Sequence, residues 1–542
     1  MAEPIHITTA IFYCNAPPHV GSAYEALAAD VYARYKRRAC GKANVTFLTG
    51  TDEHGDKLKR AATAQAMEPK PFTDRMSAAF RKAWEGLNVS FDYFVRTTDP
   101  AHEKFVQQML KRTQERGDIY FADYQGLYCV GCERFYTEKE LLAGNLCPEH
   151  NCPVELISEG NYFLRLEKYR AQVREHIERN PDFIRPERYR NEALKMLAEP
   201  VSDLCISRPK SRLDWGVELP FDPNYVAYVW YDAFWAYFSA PSLDDPNFAA
   251  RMLPYTEHFI GKDILKTHAV YWPAILLAAG MTLPRRLNVH GYLNFGGARM
   301  SKSSGNVADP VSYEKAFGPD VLRYFLMREV VFGLDGEFSE QRLIQRYNAD
   351  LANDLGNLVS RVLSMASRYR EGKVGASGLW ALNEVKEQLA ARGTGSVSGS
   401  QTTDELKQDL SLLEFIVALP RGSDLASRVS RRIEGLDFKG ALEEIWLVLD
   451  AANRYIVATQ PWTLAKDSNR ARRLDQILAN LIEALRVIGY QLEPFMPVTS
   501  RRLLDLLNVD EAAAAAPFGQ GIQPDHRVKP PAALFPRIEV SK

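Results

Sequence analysis

A chain of 542 residues, 46% hydrophobic and 25% charged, has the make-up of an ordinary soluble globular protein and should divide into three or more domains, because single cores rarely grow past about 250–300 residues. Its formal charge of −1 excludes a global basic field, so a nucleic acid would have to be held by local patches. No apolar run reaches the roughly 18 residues of a membrane span, and residues 1–10 lack the basic start and apolar block of a cleaved targeting segment.

Taken in chain order, Ile5–Phe12 is rich in β-branched residues and predicts a strand. After the loop Cys14–Pro18, residues Tyr24, Leu27, Ala28, Val31 and Tyr35 recur at helical spacing and make one apolar face. Val45–Leu48 predicts a second strand, ending in the loop Thr49–Gly55. This alternation argues an α/β domain on a parallel sheet, with ligands outside the carboxyl ends of its strands. The pattern changes from Ile119 to Leu219, which reads as a domain inserted into the sheet domain. It returns at Ala227–Phe238 and continues through Phe259–Asp263 to Leu287–Tyr292. Beyond Gln345 the chain reads as wholly helical. Gly393–Thr403 is a Gly/Ser/Thr-rich mobile connection and Ala512–Ala516 a loose segment. The expected division is 1–118, first half of the sheet domain; 119–221, insert; 222–292, second half; 293–345, the loop around Arg299–Ser304 with a stem-contact region; and 346–542, a helical domain.

Two short motifs carry the chemistry. In His19-Val20-Gly21-Ser22, Gly21 lets backbone and ligand approach closely. A helix starting near Ser22 points its free N–H groups at that loop, and His19 can donate to a phosphate. In Arg299-Met300-Ser301-Lys302-Ser303-Ser304, Lys302 is a compact cation suited to the charge that develops on leaving pyrophosphate, and Gly296, Gly297 and Gly305 let the loop close. One ATP site assembled from two remote halves suits activation of a carboxylate as an acyl-adenylate.

These motifs, with Tyr13-Cys14-Asn15-Ala16-Pro17-Pro18 and Thr51-Asp52-Glu53-His54-Gly55, resemble the class I aminoacyl-tRNA synthetases. Tyr228-Val229-Trp230-Tyr231-Asp232-Ala233, Gly261-Lys262-Asp263-Ile264-Leu265 and Gln460-Pro461-Trp462 narrow the resemblance to the methionyl-tRNA synthetase family, from Ile5 to about Asn508. It implies a Rossmann-type catalytic domain split by a zinc-binding insert and followed by an all-α anticodon-binding bundle. Three positions depart from the family pattern: Ser22 replaces a second histidine, Arg299 a lysine, and Thr267 an aromatic residue beside His268.

The resemblance assigns roles by residue. His19 and Lys302 would be catalytic. ATP would be held by His19, Gly21, Ser22, Met300 and Lys302, with Asp263 on the ribose and His290 and Gly291 near adenine. Arg208 resembles a family arginine near the reacting phosphates. Asp52 would bind the α-ammonium of methionine, and Ile11, Tyr13, Trp230, Ala233, Phe234, Tyr237, Ile264 and His268 would enclose its thioether, which favours aromatic neighbours. The methionine carboxylate would attack the α-phosphorus of ATP, with Mg²⁺, His19 and Lys302 stabilising pyrophosphate. The adenylate then passes its methionyl group to a ribose hydroxyl of tRNA(Met).

Cys129-x₂-Cys132 and Cys147-x₂-His150 have the spacing of a closed, structural Zn²⁺ site, with Cys152 competing for the fourth position. The clustering of cysteines there suits a reducing, cytoplasmic setting. In the helical part, Asn353, Asn357 and Arg361 share one stripe, and Leu351, Leu355, Leu358 and Val362 the apolar one. With Pro461 and Trp462, the polar stripe looks like the family's reader of the CAU anticodon. The insert is too small for the hydrolytic editing domain of related synthetases. The resemblance implies instead that homocysteine is rejected by cyclisation in the synthetic site. With only a short tail after Asn508, a monomer is expected.

Overall fold

The computed structural model describes residues 3–129, 134–136, 138–148, 151–296, 298–299, 308–374, 402–416, 424–523 and 525–539. It falls into two units, Met1–Val311 with Gly333–Asp335, and Ser312–Phe332 with Gly336–Lys542.

The first unit is built on β1 (Ile5–Thr9), β2 (Phe12–Tyr13), α1 (Val20–Cys40), β3 (Val45–Asp52), β4 (Tyr93–Arg96), α2 (Pro100–Glu115), α3 (Val229–Ser239), β5 (Thr256–Gly261) and β6 (Arg286–His290). Its central sheet is parallel, β3 lying between β4 and β1, and β5 between β1 and β6. Every residue of β1 and β5 is buried, as expected of parallel strands covered on both faces. Gly50 makes the approach of β4 possible, since a Cβ there would lie 2.1 Å from the Val95 carbonyl oxygen.

The strand expected over Ile5–Phe12 is broken. Thr8 pairs with Leu48 and Phe12 with Thr51, so one strand advances four residues while its partner advances three. The extra residue is a bulge at Ala10–Ile11. There the Ala10 amide leaves the ladder with β3 and donates to both the Phe259 carbonyl and the Glu25 carboxylate.

In the insert, Ile119–Cys129 and Glu155–Leu164 form a long antiparallel ladder, from Ile119 opposite Leu164 to Tyr128 opposite Glu155. Ser207–Pro209 and Glu218–Leu219 flank Asp222–Ala227 in a second small sheet. One piece of the insert was not expected in the main sheet: Ile184–Arg185 extends its edge beside β6.

The second unit is helical, as expected, with α4 (Asn357–Arg370), α5 (Thr403–Ile416), α6 (Phe438–Thr459) and α7 (Ala471–Leu492) among its longer helices. Helix α6 packs against both α5 and α7. Leu351, Leu355, Leu358 and Val362 are all fully buried, so the apolar stripe faces the core. Polar groups are buried with it: Asp409 accepts from Arg473, Gln476 and the Tyr455 hydroxyl. The segment Ala512–Ala516 is not loose. Glu511–Ala515 forms a helical turn capped by Asp510, and buried Arg486 donates to the carbonyls of Ala513 and Ala514. Of Gly393–Thr403, residues 393–401 lie outside the described residues. Among the described residues no helix is long and apolar enough to cross a membrane.

Candidate active site

His19, Asp52, Asp263 and His290 lie in or at the loops that follow β1 and β2, β3, β5 and β6, at the carboxyl ends of the strands, where open parallel sheets bind ligands. Strand β1 leads on to β3 on one side and is flanked by β5 on the other, so a topological switch point lies between β1 and β5.

Helix α1 starts at Val20, two residues before its expected start, with His19 as its N-cap. The His19 ring turns back so that Nδ1 accepts the Ser22 amide at 3.2 Å, while the Ser22 hydroxyl accepts the His19 amide at 3.0 Å. This reciprocal box explains the short Ser22 side chain. It also places the proton of a neutral ring on Nε2. A Cβ on Gly21 would lie 2.9 Å from His19 Cε1 and Nδ1, so glycine is what lets the ring fold back. The Val20 amide donates to the Ala308 carbonyl at 2.9 Å, tying the helix start to the end of the segment that carries the second motif. Met300, Lys302, Gly297 and Gly305 lie outside the described residues, and Ala298–Arg299 pairs with Asn294–Phe295.

His290 ends β6. Its Nε2 lies 3.0 Å from Glu25 Oε2 and its Nδ1 lies 2.7 Å from the Gly291 carbonyl oxygen. Both partners are acceptors, which favours the doubly protonated ring. Burial pushes its pKa down, but Glu25 more than offsets this and raises it. Burial pushes the Glu25 carboxyl up, opposed by His290 and the Ala10 amide. Gly291 has no room for a side chain, because a Cβ would lie 2.4 Å from the Leu334 carbonyl. At Gly261 a Cβ would lie 2.5 Å from an Asp263 carboxylate oxygen, so glycine leaves Asp263 free to fold over the end of β5.

A ring-lined cluster lies beside these loops. Trp230, Phe234 and Tyr237 supply its rings, and Ile11, Tyr13, Ala233 and Ile264 belong to or pack against the same extended apolar core. His268 stands at its centre in a π-helical turn, Thr267–Tyr271, a distortion frequent at functional sites. The Trp230 and Phe234 rings meet it edge-on at 6.1 and 5.2 Å. Its Nδ1 donates to the Ile264 carbonyl at 3.0 Å, so Nε2 accepts the Tyr237 hydroxyl at 2.8 Å. Burial lowers the His268 pKa to about 4, so the ring is neutral at physiological pH. Thr267 needs no aromatic ring for its local role; its hydroxyl donates to the Ile264 carbonyl.

Asp52 ends β3 opposite Tyr13 and is 7% exposed. The residues after it are held from several sides. Arg96 binds the Glu53 carboxylate through two 2.7 Å hydrogen bonds, and Trp215 of the insert donates to the Glu53 carbonyl at 2.6 Å. Arg208 is buried under the rings of Tyr128 and Tyr228, 5.3 and 4.7 Å away. Sequence reasoning missed Glu25 and Arg96, which belong to no metal-ligand or catalytic spacing and act across strands, and it quoted Glu53 within a motif without assigning it a role.

In the insert, Cys129 and Cys147 are buried with Tyr136, and Cys152 packs against them. The Cys129 and Cys152 sulfurs are 4.0 Å apart, and the Cys147 amide donates to the Cys152 carbonyl. Soft thiols gathered this way suit Zn²⁺. Cys132 and His150 lie outside the described residues, and among those described no three donors are close enough to hold an ion alone.

In the helical unit, Asn353 and Asn357 are exposed and Arg361 half-buried. Asn353 lies in a π-helical stretch, Tyr347–Gly356, that runs into α4. Arg361 lines a cavity of about 390 Å³ with Asn453, Arg454, Val457 and Ala458 of α6. Gln460, with φ 44°, turns the chain into a short helix starting at buried Pro461, and the Trp462 ring is 40% exposed.

A parallel-sheet domain interrupted by an insert, with the His19 cap at the start of α1 and a Lys-Ser motif in the sequence between Arg299 and Ser304, has the make-up of a class I tRNA synthetase. The family model described as tRNA synthetases class I (M) matches residues 5–155 and 151–363. The anticodon binding domain of methionyl tRNA ligase matches residues 423–542. The chain belongs to the methionyl-tRNA synthetase family.

It is 40% identical over 548 residues to a methionine–tRNA ligase of Caldanaerobacter subterraneus, covering 100% of this chain and 80% of that one. It is 39% identical over 545 residues to that of Mycobacterium tuberculosis, covering 99% and 98%. The Mycobacterium tuberculosis methionyl-tRNA synthetase in complex with methionyl-adenylate superposes with a TM-score of 0.86 at 38% identity, over 99% of this chain and 100% of that one. The free-state structure gives 0.80 at 35% identity, covering 100% and 99%.

Proposed function

We propose that this chain joins L-methionine to tRNA(Met) through a methionyl-adenylate, consuming ATP and releasing AMP and pyrophosphate. The observation that carries this reading is the Val20–Ala308 hydrogen bond. It holds the start of the helix that follows His19 to Ala308, which comes shortly after Lys302 in the sequence. In this reading the cluster takes the thioether, and its neutral His268 accepts the Tyr237 hydroxyl without adding a charge that methionine could not match. Asp52 holds the α-ammonium, Asp263 the ribose, and His290 with Gly291 the adenine side.

Adenylate formation needs no protein nucleophile. The substrate carboxylate attacks the α-phosphorus, the bond to the β-phosphate oxygen breaks, and pyrophosphate leaves. His19 donates from Nε2 to the departing phosphates, and Lys302 follows the developing charge. Mg²⁺ arriving with ATP would supply further charge neutralisation. In the insert, Cys129, Cys132, Cys147 and His150 would hold a structural Zn²⁺, with Cys152 as the competing fourth ligand. Asn353, Asn357, Arg361, Pro461 and Trp462 would read the anticodon, and the groove beside Arg361 adds Asn453 and Arg454 to that surface. Cysteine usage supports a cytoplasmic enzyme.

Lys302→Ala tests this directly. Methionine-dependent ATP–pyrophosphate exchange should fall by about 10²–10³-fold with the KM for methionine little changed. Normal exchange would refute the role of the loop.

A further inference from the structure

We propose that His102, on a helix outside every motif, is a positioning residue for methionine. Through Asp232 it locks His54, and with it the loop after Asp52, against the helix that carries Trp230 and Tyr237. The inference rests on the reading of Asp52 as the α-ammonium anchor.

Asp232 is fully buried on α3, and its two carboxylate oxygens are each taken by an imidazole. His54 Nδ1 lies 2.7 Å from Oδ2, and His102 Nε2 lies 2.7 Å from Oδ1. A carboxylate only accepts, so both of these nitrogens carry protons. The second nitrogen of His102 lies 2.9 Å from the hydroxyl of Ser239, which donates to it in the neutral ring. Asp232 and Ser239 are two turns apart on one face of α3, so His102, from α2, grips that helix at two points. His54 in turn is wedged edge-on against Trp215 at 5.4 Å, with Glu103 at 3.9 Å from its Nε2.

The carboxylate therefore joins three elements: the end of β3, α2 and the pocket helix α3. Trp230 lies two residues before Asp232 and Ala233 one after it, so the ring wall of the cluster turns with this carboxylate. Without the His102 donor, Oδ1 would be left desolvated and unpaired, and Asp232 would swing toward His54 to recover a partner. That movement shifts both the Asp52 loop and Trp230. The ATP side, built from α1, β5 and β6, is not in this network. The expected signature is thus selective loss of methionine binding.

The two polar replacements of His102 separate positioning from bulk. Glutamine places its amide where Nε2 was and keeps the donor to Asp232. Asparagine matches Nδ1, keeps Ser239 and loses Asp232. In steady-state exchange assays His102→Asn should raise the KM for methionine about tenfold, with KM for ATP and kcat within about twofold. His102→Gln should stay within about threefold of the parent in all three. Equal behaviour of the two variants, an unchanged methionine KM in His102→Asn, or parallel rises in both KM values would each overturn the proposal. Asp52→Asn in the same assay separates the underlying reading: an unchanged methionine KM there refutes the anchor, whatever His102 does.

Discussion

In the loop after β1, the His19 ring is held by its own helix, Nδ1 accepting the Ser22 amide at 3.2 Å. The same contact that caps the helix presents Nε2–H outward, so stability and chemistry rest on one rotamer. Gly21→Ala would put a methyl 2.9 Å from that ring and force it off the cap. A misplacement of this kind predicts an exchange rate lowered by about 10²-fold, measurable with the folded content unchanged by circular dichroism.

The buried histidines make a second residue-level prediction. His6 and His268 both titrate near pH 4, because burial disfavours the charged ring. Their folded pKa lies below the unfolded value of about 6.5, so the stability they contribute is complete above pH 6.5 and is lost as pH falls toward 4. Each accounts for roughly 3 kcal/mol over that window. Urea unfolding between pH 7 and 4 should show the decline, and His268→Gln should make it shallower; an unchanged slope would contradict a neutral His268. At this scale His19 stood out through its motif, a scarce residue type in a meaningful spacing, whereas Asp52 and Asp263 were singled out only by the family resemblance. Glu25 and His102 were silent, since a lone polar residue on a helix reads as surface until its partners from distant strands and helices are known.

Among the elements, the parallel strands were legible because apolar runs alternate with helical periodicity, and the helical unit because its leucines repeat at helical spacing. The Ala10–Ile11 bulge was not. It depends on register against β3, which a continuous β-branched run conceals. The edge strand Ile184–Arg185 was missed for a similar reason, being too short to carry a period. Ala512–Ala516 misled because its order comes from outside: Asp510 caps the turn and Arg486 binds its carbonyls.

The buried pair between α5 and α7 allows a direct test of element packing. Asp409 is fully buried and takes two hydrogen bonds from Arg473 Nη1, at 2.9 and 2.7 Å. Arg473→Met should destabilise the helical unit by about 3–5 kcal/mol, by leaving an uncompensated buried carboxylate. The double variant Arg473→Met with Asp409→Leu should recover much of that loss. Chemical denaturation of both checks the sign, and equal losses would assign the cost to packing instead of charge.

At the scale of the whole molecule, two units divide the work, one activating the amino acid and one reading the tRNA. The second unit begins at Ser312, earlier than the helical domain expected from residue 346, because the helices that precede that point belong with it. The Lys302 loop and half of the proposed zinc site lie outside the described residues, so their roles rest on motif and family. The first unit makes an adenylate of methionine. ATP–pyrophosphate exchange, run with each of the twenty amino acids and without tRNA, tests it most directly. Exchange should depend on methionine, with the other nineteen giving at most a small fraction of that rate. No exchange with methionine, or faster exchange with another amino acid, would contradict the account.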